Sequence, residues 1–177
     1  MAGNTDEELV VAALSGDVDS FVTLCHRYYA PLVTVARAVL RDGHLAEDAA
    51  QEALAKACRK LDSLNDPRRF GAWLTTICRN EATDMLRRIP KTEDLDDRDV
   101  AQEIPEEDSD VVAVRQAMDL LPVESRELLY LRYRGGLTYE EIAALLAATP
   151  EAVHGRLRRA KEALKAHFQR QQDRRLS

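Results

Sequence analysis

Residues 137–161 constrain the fold most, because they read as two short helices joined by a tight turn. Thr138 and Glu141 have the spacing of a capping box, in which each side chain bonds an otherwise unpaired amide at a helix start. Thr149 and Pro150 predict the start of the second helix, because threonine caps well and proline at the first helical position sacrifices no hydrogen bond. Two capped starts this close together predict a helical hairpin.

The second of these helices carries one apolar face and one basic face. Helical spacing places four side chains on the apolar face: Val153, Leu157, Ala160 and Leu164. His154, Arg158 and Arg159 lie off that stripe, where they are free to meet a polyanion. This pattern is typical of a helix-turn-helix, whose second helix enters the major groove of DNA. An ordinary helical hairpin with a solvated basic face is the alternative that the pattern leaves open.

Acidic residues are concentrated in one segment, between Glu93 and Asp110. It holds ten acids and a single base, Arg98, so its net charge is −9 while the whole chain carries −6. The rest of the chain is therefore positive by 3, and the part from Glu151 onward has eight Lys or Arg against three acids. The negative total thus does not argue against a nucleic-acid partner. The segment itself has few apolar residues and predicts a flexible linker.

Composition excludes several classes of protein. A chain of 177 residues with 45% hydrophobic and 32% charged residues is typical of a soluble protein of one or two domains. No apolar run approaches the roughly 18 residues of a membrane span, and the acidic start lacks a signal-peptide pattern, so the cytoplasm is the expected location. Three cysteines lie in apolar helical patterns and predict three buried thiols rather than a metal or redox site: Cys25, Cys58 and Cys78.

Apolar periodicity predicts helices on both sides of the acidic segment. The expected helices before it are Asp6–Ser15, Asp17–Arg41, His44–Leu61 and Phe70–Ile89, with Pro31 as a bend in the second. After it, Val111–Leu121 and Glu124–Arg134 precede the helix-turn-helix. The whole chain is therefore expected to be helical.

The third helix presents a polar triplet opposite its apolar stripe. Asp48, Gln51 and Glu52 are spaced i, i+3 and i+4, so they share one face. A solvated face is the ordinary meaning of such a triplet. No histidine follows at i+4 and no second carboxylate pair accompanies it, which argues against a metal site. A docking patch for another protein is the more specific interpretation.

The fourth helix combines an aromatic ring with amide and basic side chains. Trp73, Asn80 and Arg87 share one side, and Arg79 and Arg88 flank it. Single-stranded DNA binding needs this combination, because a ring stacks on a base while cations neutralise phosphate. Trp73 as an ordinary core residue is the alternative.

Four motifs occur in a fixed order. They are D-x-x-Q-E at 48–52, F-x-A-W-L followed by R-N and D-x-x-R-R at 70–88, Leu121-Pro122, and L-T-Y-E-E-I-A at 137–143. With this order and spacing the chain resembles an extracytoplasmic-function sigma factor, a small two-domain class of bacterial sigma factors, from Asp6 to Phe168. The resemblance implies a protein that binds core RNA polymerase and directs it to a class of promoters, with no enzymatic activity and no cofactor.

The resemblance also assigns roles to individual residues. Those that match the positions docking on the clamp helices of the largest polymerase subunit are Asp48, Gln51 and Glu52. Those that match the element melting the minus-ten motif, holding a flipped base or contacting phosphate are Leu64, Asn65, Arg68, Arg69, Phe70, Trp73, Arg79, Asn80, Arg87 and Arg88. Those that match the part facing the minus-thirty-five element are Arg132, Thr149, Glu151, His154, Gly155, Arg158 and Arg159.

Further partners follow from the same resemblance: promoter DNA, the flap of the second polymerase subunit and an anti-sigma factor. One stretch departs from the family pattern. Recognition helices in the family often read G-T-V-K-S-R-L, whereas residues 151–157 read E-A-V-H-G-R-L. His154 weakens one electrostatic contact when neutral, and Gly155 costs roughly 1 kcal/mol relative to alanine but lets the backbone approach DNA. The usual glycine of the turn is Ala147 or Ala148.

The expected organisation is all-α, with two small helical domains. The first spans 1–90, the acidic linker spans 91–110, and the second, with the helix-turn-helix, spans 111–177. Two rival functions remain. One is a conventional helix-turn-helix regulator whose front half senses a signal or dimerises, and the other is a helical adaptor whose basic helix binds protein or RNA.

Overall fold

Every regular element in the described part of the chain is helical. The computed structural model describes residues 4–89 and 109–176, and the side chains of 4–89 and 111–171. The helices of the front half are α1 (Asp6–Leu14), α2 (Val18–Leu40), α3 (Gly43–Lys60) and α4 (Phe70–Arg88). Two short 3-10 turns, Leu61–Ser63 and Pro67–Arg69, join α3 to α4. The all-α prediction is confirmed. Residues 91–108 of the predicted acidic linker lie outside the described residues.

Side-chain caps set where the front helices begin. Thr5 and Glu8 form a capping box at the start of α1. Asp17 caps α2, and Asp42 accepts a 2.9 Å hydrogen bond from the amide of Leu45 at the start of α3. These local signals explain why α1, α2 and α3 begin close to their predicted bounds, whereas α4, which also occurs close to its predicted bounds, has no side-chain cap.

Small side chains let α3 pack closely on its neighbours. Its buried face consists of five alanines without any exposed surface: Ala46, Ala49, Ala50, Ala53 and Ala57. Helices approach each other most closely where the contacting side chains are small. The larger core residues come from α2 and α4, among them Leu24, Leu32, Phe70 and Leu74. The front half is therefore a tight helical bundle whose outer faces remain for function.

The second half begins with α5 (Ser109–Asp119) and α6 (Val123–Leu129). The sequence predicts a single α-helix from Glu124 to Arg134. This prediction is wrong, because Tyr130–Arg134 form a wider π-helical turn. The amide of Gly135 bonds the carbonyl of Tyr130 at 2.9 Å, five residues back. A side chain at Gly135 has no room, since its Cβ would lie 2.9 Å from the backbone carbonyl oxygen of Leu131.

The helix-turn-helix is formed by α7 (Tyr139–Leu146) and α8 (Pro150–Leu176). Both predicted caps are present: Thr138 and Glu141 make the capping box, and Thr149 Oγ1 accepts from the amide of Ala152 at 3.2 Å. The turn residue is Ala147, which has φ +51° in the left-handed region. That region costs an L-residue roughly 1–2 kcal/mol, so this turn holds an alanine in a conformation that glycine adopts without strain.

One prediction about the cysteines is corrected. Cys78 is buried, and burial raises the pKa of its thiol to about 12. Cys25 is partly buried, but Cys58 is exposed. Cys58 follows the buried Ala57 directly, and one helical step rotates it about 100° away from the core.

The two halves pack against each other. Helix α2 contacts α6 and the π-helical turn, and α4 contacts α7. Buried residues of both halves belong to one continuous apolar cluster, which extends from Leu9 to Ala160. The candidate functional faces of the front half are therefore next to residues of the second half. The division into two domains at the stated bounds stays a prediction.

Candidate nucleic-acid interface

Two aromatic rings support the position of Trp73. The Trp73 ring lies 5.9 Å from that of Phe70, centroid to centroid, and Phe70 lies 5.4 Å from Tyr28 in an edge-to-face contact. Tyr28 donates a hydrogen bond to Asp6 of α1, and burial raises its pKa. A Cβ at Gly71 would lie 2.7 Å from Tyr28 Oη, so this packing requires glycine there. Trp73 is half-buried and is held as a rigid platform.

Phe70 is 1% exposed and serves as the support of that platform. In this structure it offers almost no surface to a ligand. Its predicted DNA contact therefore stays a prediction. The alternatives for Trp73 itself, core residue or stacking platform, are not exclusive here, because one part of the side chain packs on Phe70 while another part lines a cleft.

The loop before α4 forms one wall of this cleft. Asn65, Arg68 and Arg69 are exposed, and Leu64 is half-buried. Asp66 accepts from the amide of Arg68 at 3.1 Å and from its Nε at 3.0 Å. The hydrogen bond from the Arg68 side chain lowers the pKa of Asp66. The loop is thus ordered by its own carboxylate, and its outward side is basic.

We call this cavity of about 330 Å³ the Trp73 cleft. The front-half residues that line it are Ser63, Leu64, Asn65, Asp66, Arg69, Ala72, Trp73, Thr76 and Arg79. Its opposite wall consists of Leu145, Leu146 and Ala147 from the helix-turn-helix. The structure thereby brings together five of the ten predicted minus-ten residues: Leu64, Asn65, Arg69, Trp73 and Arg79.

Four predicted DNA contacts of α4 either have a protein partner or lie outside the Trp73 cleft. Arg79 donates to the carboxylate of Glu127, with Nη2 to Oε1 at 2.7 Å. Arg87 is exposed and lies 3.4 Å from Asp84. Arg88 lines a second cleft, on the side of α4 that faces α3. Asn80 is exposed but does not line the Trp73 cleft.

The second cleft, which we call the α3–α4 cleft, contains the polar triplet. Its lining residues are Asp48, Gln51, Glu52, Ala55, Glu81, Asp84, Met85 and Arg88. Glu52 pairs with Arg59 at 3.1 Å, and Lys56 pairs with Glu81 across the two helices. The triplet therefore lies in an acidic groove between helices rather than on an isolated helix face. Sequence reasoning missed Glu81, Asp84 and Met85, because their position beside α3 depends on tertiary packing.

The outer face of α8 is open. Glu151, His154, Arg158 and Arg159 are exposed, and Gly155 is half-buried. Thr149 caps α8, so its hydroxyl is already engaged. A Cβ at Gly155 would meet only Arg159 Nη1, at 3.8 Å, so the isolated chain has space for a side chain there.

Tyr139, which sequence reasoning passed over, connects two predicted DNA contacts. Its ring lies 5.4 Å from that of His154 in an edge-to-face contact and 5.1 Å from the guanidinium carbon of Arg132. Arg132 also donates to the carbonyl of Leu137 at 2.8 Å. Both side chains are therefore oriented by α7. The only signal in the sequence is the aromatic residue in the first turn of a capped helix.

Two family profiles cover most of the described chain. Sigma-70 region 2 matches residues 24–91, and Sigma-70 region 4 matches residues 112–164. The first match contains the α3–α4 cleft and the front-half lining of the Trp73 cleft, and the second contains the helix-turn-helix with the opposite wall of that cleft.

Similar curated proteins are sigma factors. The chain is 30% identical to the "ECF RNA polymerase sigma-E factor" of Escherichia coli (strain K12), over 90% of this chain and 92% of that protein. It is 35% identical to the "Probable RNA polymerase sigma factor RfaY" of Xanthomonas campestris over 77% of this chain. The aligned part spans only 39% of RfaY.

Two solved structures share the fold. CnrH in complex with the cytosolic domain of CnrY has a TM-score of 0.64 and 29% identity, with 92% of this chain and 96% of that chain covered. The sigma factor RpoE of Bartonella quintana in complex with the anti-sigma factor NepR has a TM-score of 0.57 and 25% identity, with 86% and 98% covered.

The chain therefore belongs to the extracytoplasmic-function sigma factors. It is a sigma factor that acts with core RNA polymerase to direct transcription initiation, and it binds DNA. None of the helices in the described ranges is long and apolar enough to cross a membrane.

Proposed function

We propose that the three surfaces divide the work of promoter recognition. The α3–α4 cleft docks on the clamp of the largest polymerase subunit. The Trp73 cleft takes a flipped base of the non-template minus-ten strand. The exposed face of α8 reads the minus-thirty-five element, and the second half also contacts the flap of the second polymerase subunit. The residues in each role are those assigned from the family resemblance.

The Trp73 cleft is the observation that supports this proposal best. Flipping a base out of a duplex costs a few kcal/mol, so a pocket must offset the lost stacking. Base–aromatic stacking is worth about 1–3 kcal/mol per base. A ring held rigidly by Phe70, beside the exposed Asn65 and Arg69, supplies both stacking and polar contacts.

Charge supports the assignment of the α3–α4 cleft to a protein partner. Asp48, Glu52, Glu81 and Asp84 line it, with Arg88 as the only base in the lining. Glu52, Glu81 and Asp84 also pair with Arg59, Lys56 and Arg87, so ordered charges of both signs surround the groove. Such a surface suits a protein partner of complementary charge, because complementarity steers association and excludes wrong partners.

The recognition helix, α8, carries basic side chains on its exposed face and therefore suits DNA. Arg158 and Arg159 are exposed on one side of α8, and His154 is fixed against Tyr139. Contacts to phosphate supply affinity, while contacts to base edges supply sequence preference. We assign the preference of this chain to the stretch from Glu151 to Gly155, where it departs from the family pattern.

Three further properties are part of the proposal. The chain is expected to act as a non-enzymatic initiation factor in the cytoplasm. An anti-sigma factor is its expected regulator, since the similar RpoE was solved with the anti-sigma factor NepR. The division into domains at 1–90 and 111–177 lets two weak contacts act as one strong contact through effective concentration.

Polymerase docking can be tested by removing the polar triplet. The double variant Asp48→Ala, Gln51→Ala is compared with Asp19→Ala, which removes an exposed acid outside the cleft. Fluorescence titration of labelled protein with purified core polymerase should show binding lost in the double variant and kept in the control. Unchanged binding by a folded double variant would refute the docking assignment.

A further inference from the structure

The second half of the chain closes one side of the Trp73 cleft. Leu145, Leu146 and Ala147, at the end of α7 and in the turn of the helix-turn-helix, form the wall opposite Trp73. A base that stacked on the free part of the Trp73 ring would need space beside that wall. Contacts between α4 and α7 hold it in place.

Arg79 is occupied by a carboxylate from the second half. Its Nη2 lies 2.7 Å from Glu127 Oε1, and its Nε lies 3.1 Å from Glu127 Oε2, so the pair is bidentate. The Glu127 side chain is only 4% exposed, whereas that of Arg79 is 37% exposed. Burial raises the pKa of Glu127, and Arg79 opposes that rise. A phosphate that approached Arg79 would have to displace this carboxylate.

Two more contacts cross between the halves beside this pair. Arg126, which is 5% exposed, donates from Nε to the carbonyl of Ala38 at 3.2 Å. Arg41 Nη1 lies 3.2 Å from Asp119 Oδ1. Arg126 is the buried group of the two contacts and is satisfied by a backbone carbonyl, whereas the Arg41–Asp119 pair is about 40% exposed and contributes little stability. We call these three contacts, with the apolar wall, the closed contact.

We propose that the closed contact is a self-inhibiting interaction surface, in which the second half of the chain occupies the face that the front half uses for single-stranded DNA. Glu127 competes with phosphate for Arg79, and Leu145–Ala147 compete with the flipped base for the cleft. The halves therefore separate before the minus-ten strand is bound. The exposed face of α8 is not covered and remains available.

This inference rests on the proposed role of the Trp73 cleft, but closure can be measured separately. Trp73 is the only tryptophan of the chain, so its fluorescence reports on the cleft without a label. Opening should shift the emission to longer wavelength and raise the acrylamide quenching constant. This readout does not depend on polymerase or on promoter activity.

The test variant is Glu127→Lys, which places a cation opposite Arg79. Breaking a buried ion pair should lower the ratio of closed to open protein by a factor on the order of 100. The matched control is Glu124→Lys, an exposed acid one turn earlier on α6 with the same charge change. Arg79→Glu opens the contact from the other side. The charge swap Arg79→Glu, Glu127→Arg should restore the low quenching of the native protein.

The second arm measures binding of a fluorescein-labelled, random-sequence 20-nucleotide DNA strand. Apparent affinity falls with the fraction of competent protein, so Glu127→Lys should bind this strand on the order of tenfold more tightly than Glu124→Lys does. The two variants carry equal net charge, which removes from the comparison the part of the attraction that depends on net charge alone.

Each outcome decides something. Quenching that is equal in the native protein, Glu127→Lys and Arg79→Glu would overturn the closed contact. If Glu127→Lys opens the cleft but binds the DNA strand no more tightly than Glu124→Lys does, the proposed inhibition is overturned. Circular dichroism checks the helicity of each variant. If Glu127→Lys is unfolded, the quenching constants of Arg79→Glu and of the charge swap are compared instead, and equal values would overturn the closed contact. Opening with improved strand binding, but no transcription with core polymerase, would leave this inference intact and refute the proposed function instead.

Discussion

The two surfaces that we assign to DNA differ in what touches them. On α8, His154, Arg158 and Arg159 are exposed along one face. At the Trp73 cleft, Arg79 is paired with Glu127, and the helix-turn-helix forms the opposite wall. The duplex-reading surface is therefore available in the free protein, whereas the strand-binding surface requires a change of conformation. A sigma factor built in this way keeps its melting surface away from DNA until it is positioned.

The difference has a physical origin in the kind of group each surface uses. Phosphate contacts on a duplex need only exposed cations, which water solvates at little cost. A base-flipping surface needs an aromatic ring partly out of water, and such a ring tends to bury itself against any apolar neighbour. Leu145 and Leu146 provide that neighbour. Closure is thus the natural resting state of an unoccupied stacking platform.

The largest expected effect comes from removing the stacking platform. Trp73→Ala should lower promoter-specific run-off transcription by roughly 10- to 100-fold, because stacking is worth about 1–3 kcal/mol per base. Trp73→Phe, which keeps a ring, should lose much less. Core polymerase binding should be unchanged in both, since Trp73 lies outside the α3–α4 cleft. Equal transcription by the native protein, Trp73→Ala and Trp73→Phe would show that Trp73 is not a stacking platform and would contradict the difference between the two surfaces.

A smaller effect is expected on α8. Arg158→Ala should weaken binding of duplex promoter DNA by about 1–3 kcal/mol if the side chain contacts a base, or reduce the salt slope by about one if it contacts phosphate. Affinity measured at several salt concentrations separates these cases. Lys165→Ala, an exposed cation about two turns further along α8, is the comparison. If both variants behave alike, α8 attracts DNA by its net charge only.

Two matched capping boxes allow a test of stability against function. Thr5→Ala and Thr138→Ala each remove an N-cap hydroxyl, with an expected cost of about 1 kcal/mol and a lowering of Tm by about 2–4 °C for a chain of this size. Only Thr138→Ala should also weaken duplex binding, because its helix orients Arg132 and His154 through Tyr139. A similar loss of duplex binding in Thr5→Ala would show that the halves do not act separately.

The smallest expected effect is a dependence of closure on pH. Burial raises the pKa of Glu127 in the closed state, so the closed state binds a proton more tightly than the open state does. The fraction of closed protein should therefore increase as the pH falls through the pKa that Glu127 has in the closed state. This increase is lost as the pH rises above that pKa. Arg79 and Glu124 are the other charged groups that influence Glu127. Trp73 quenching should therefore fall as pH is lowered from 7 to 5 in native protein and stay flat in Glu127→Gln.

Local patterns made most of the fold predictable. The capping box at Thr138, the N-cap at Thr149 and the α2 N-cap at Asp17 are short-range interactions, and each occurs where the residue types require it. The grouping of Leu64, Asn65, Arg69 and Trp73 also followed from the motifs. In these cases residues close in sequence determine the structure.

Predictions failed or fell short where long-range packing decides. The apolar context of α6 did not indicate that Arg126 and Glu127 are buried, because their partners lie 88 and 48 residues away. Arg88 was grouped with the DNA face but lines the acidic cleft, since α3 lies against that side of α4. Two adjacent charged residues followed by leucines, as in Arg126-Glu127-Leu128-Leu129, are a sequence pattern that indicates a buried polar contact.

The central claim is that this chain directs core polymerase to a particular class of promoters. The most direct measurement maps the 5′ ends of transcripts made in vitro from the genomic DNA that encodes it, with purified core polymerase alone and with the protein added. New start sites should appear, and they should share one upstream sequence at the minus-ten position and another at the minus-thirty-five position. Start sites identical to those of core polymerase alone, with a folded and polymerase-bound protein, would contradict the claim.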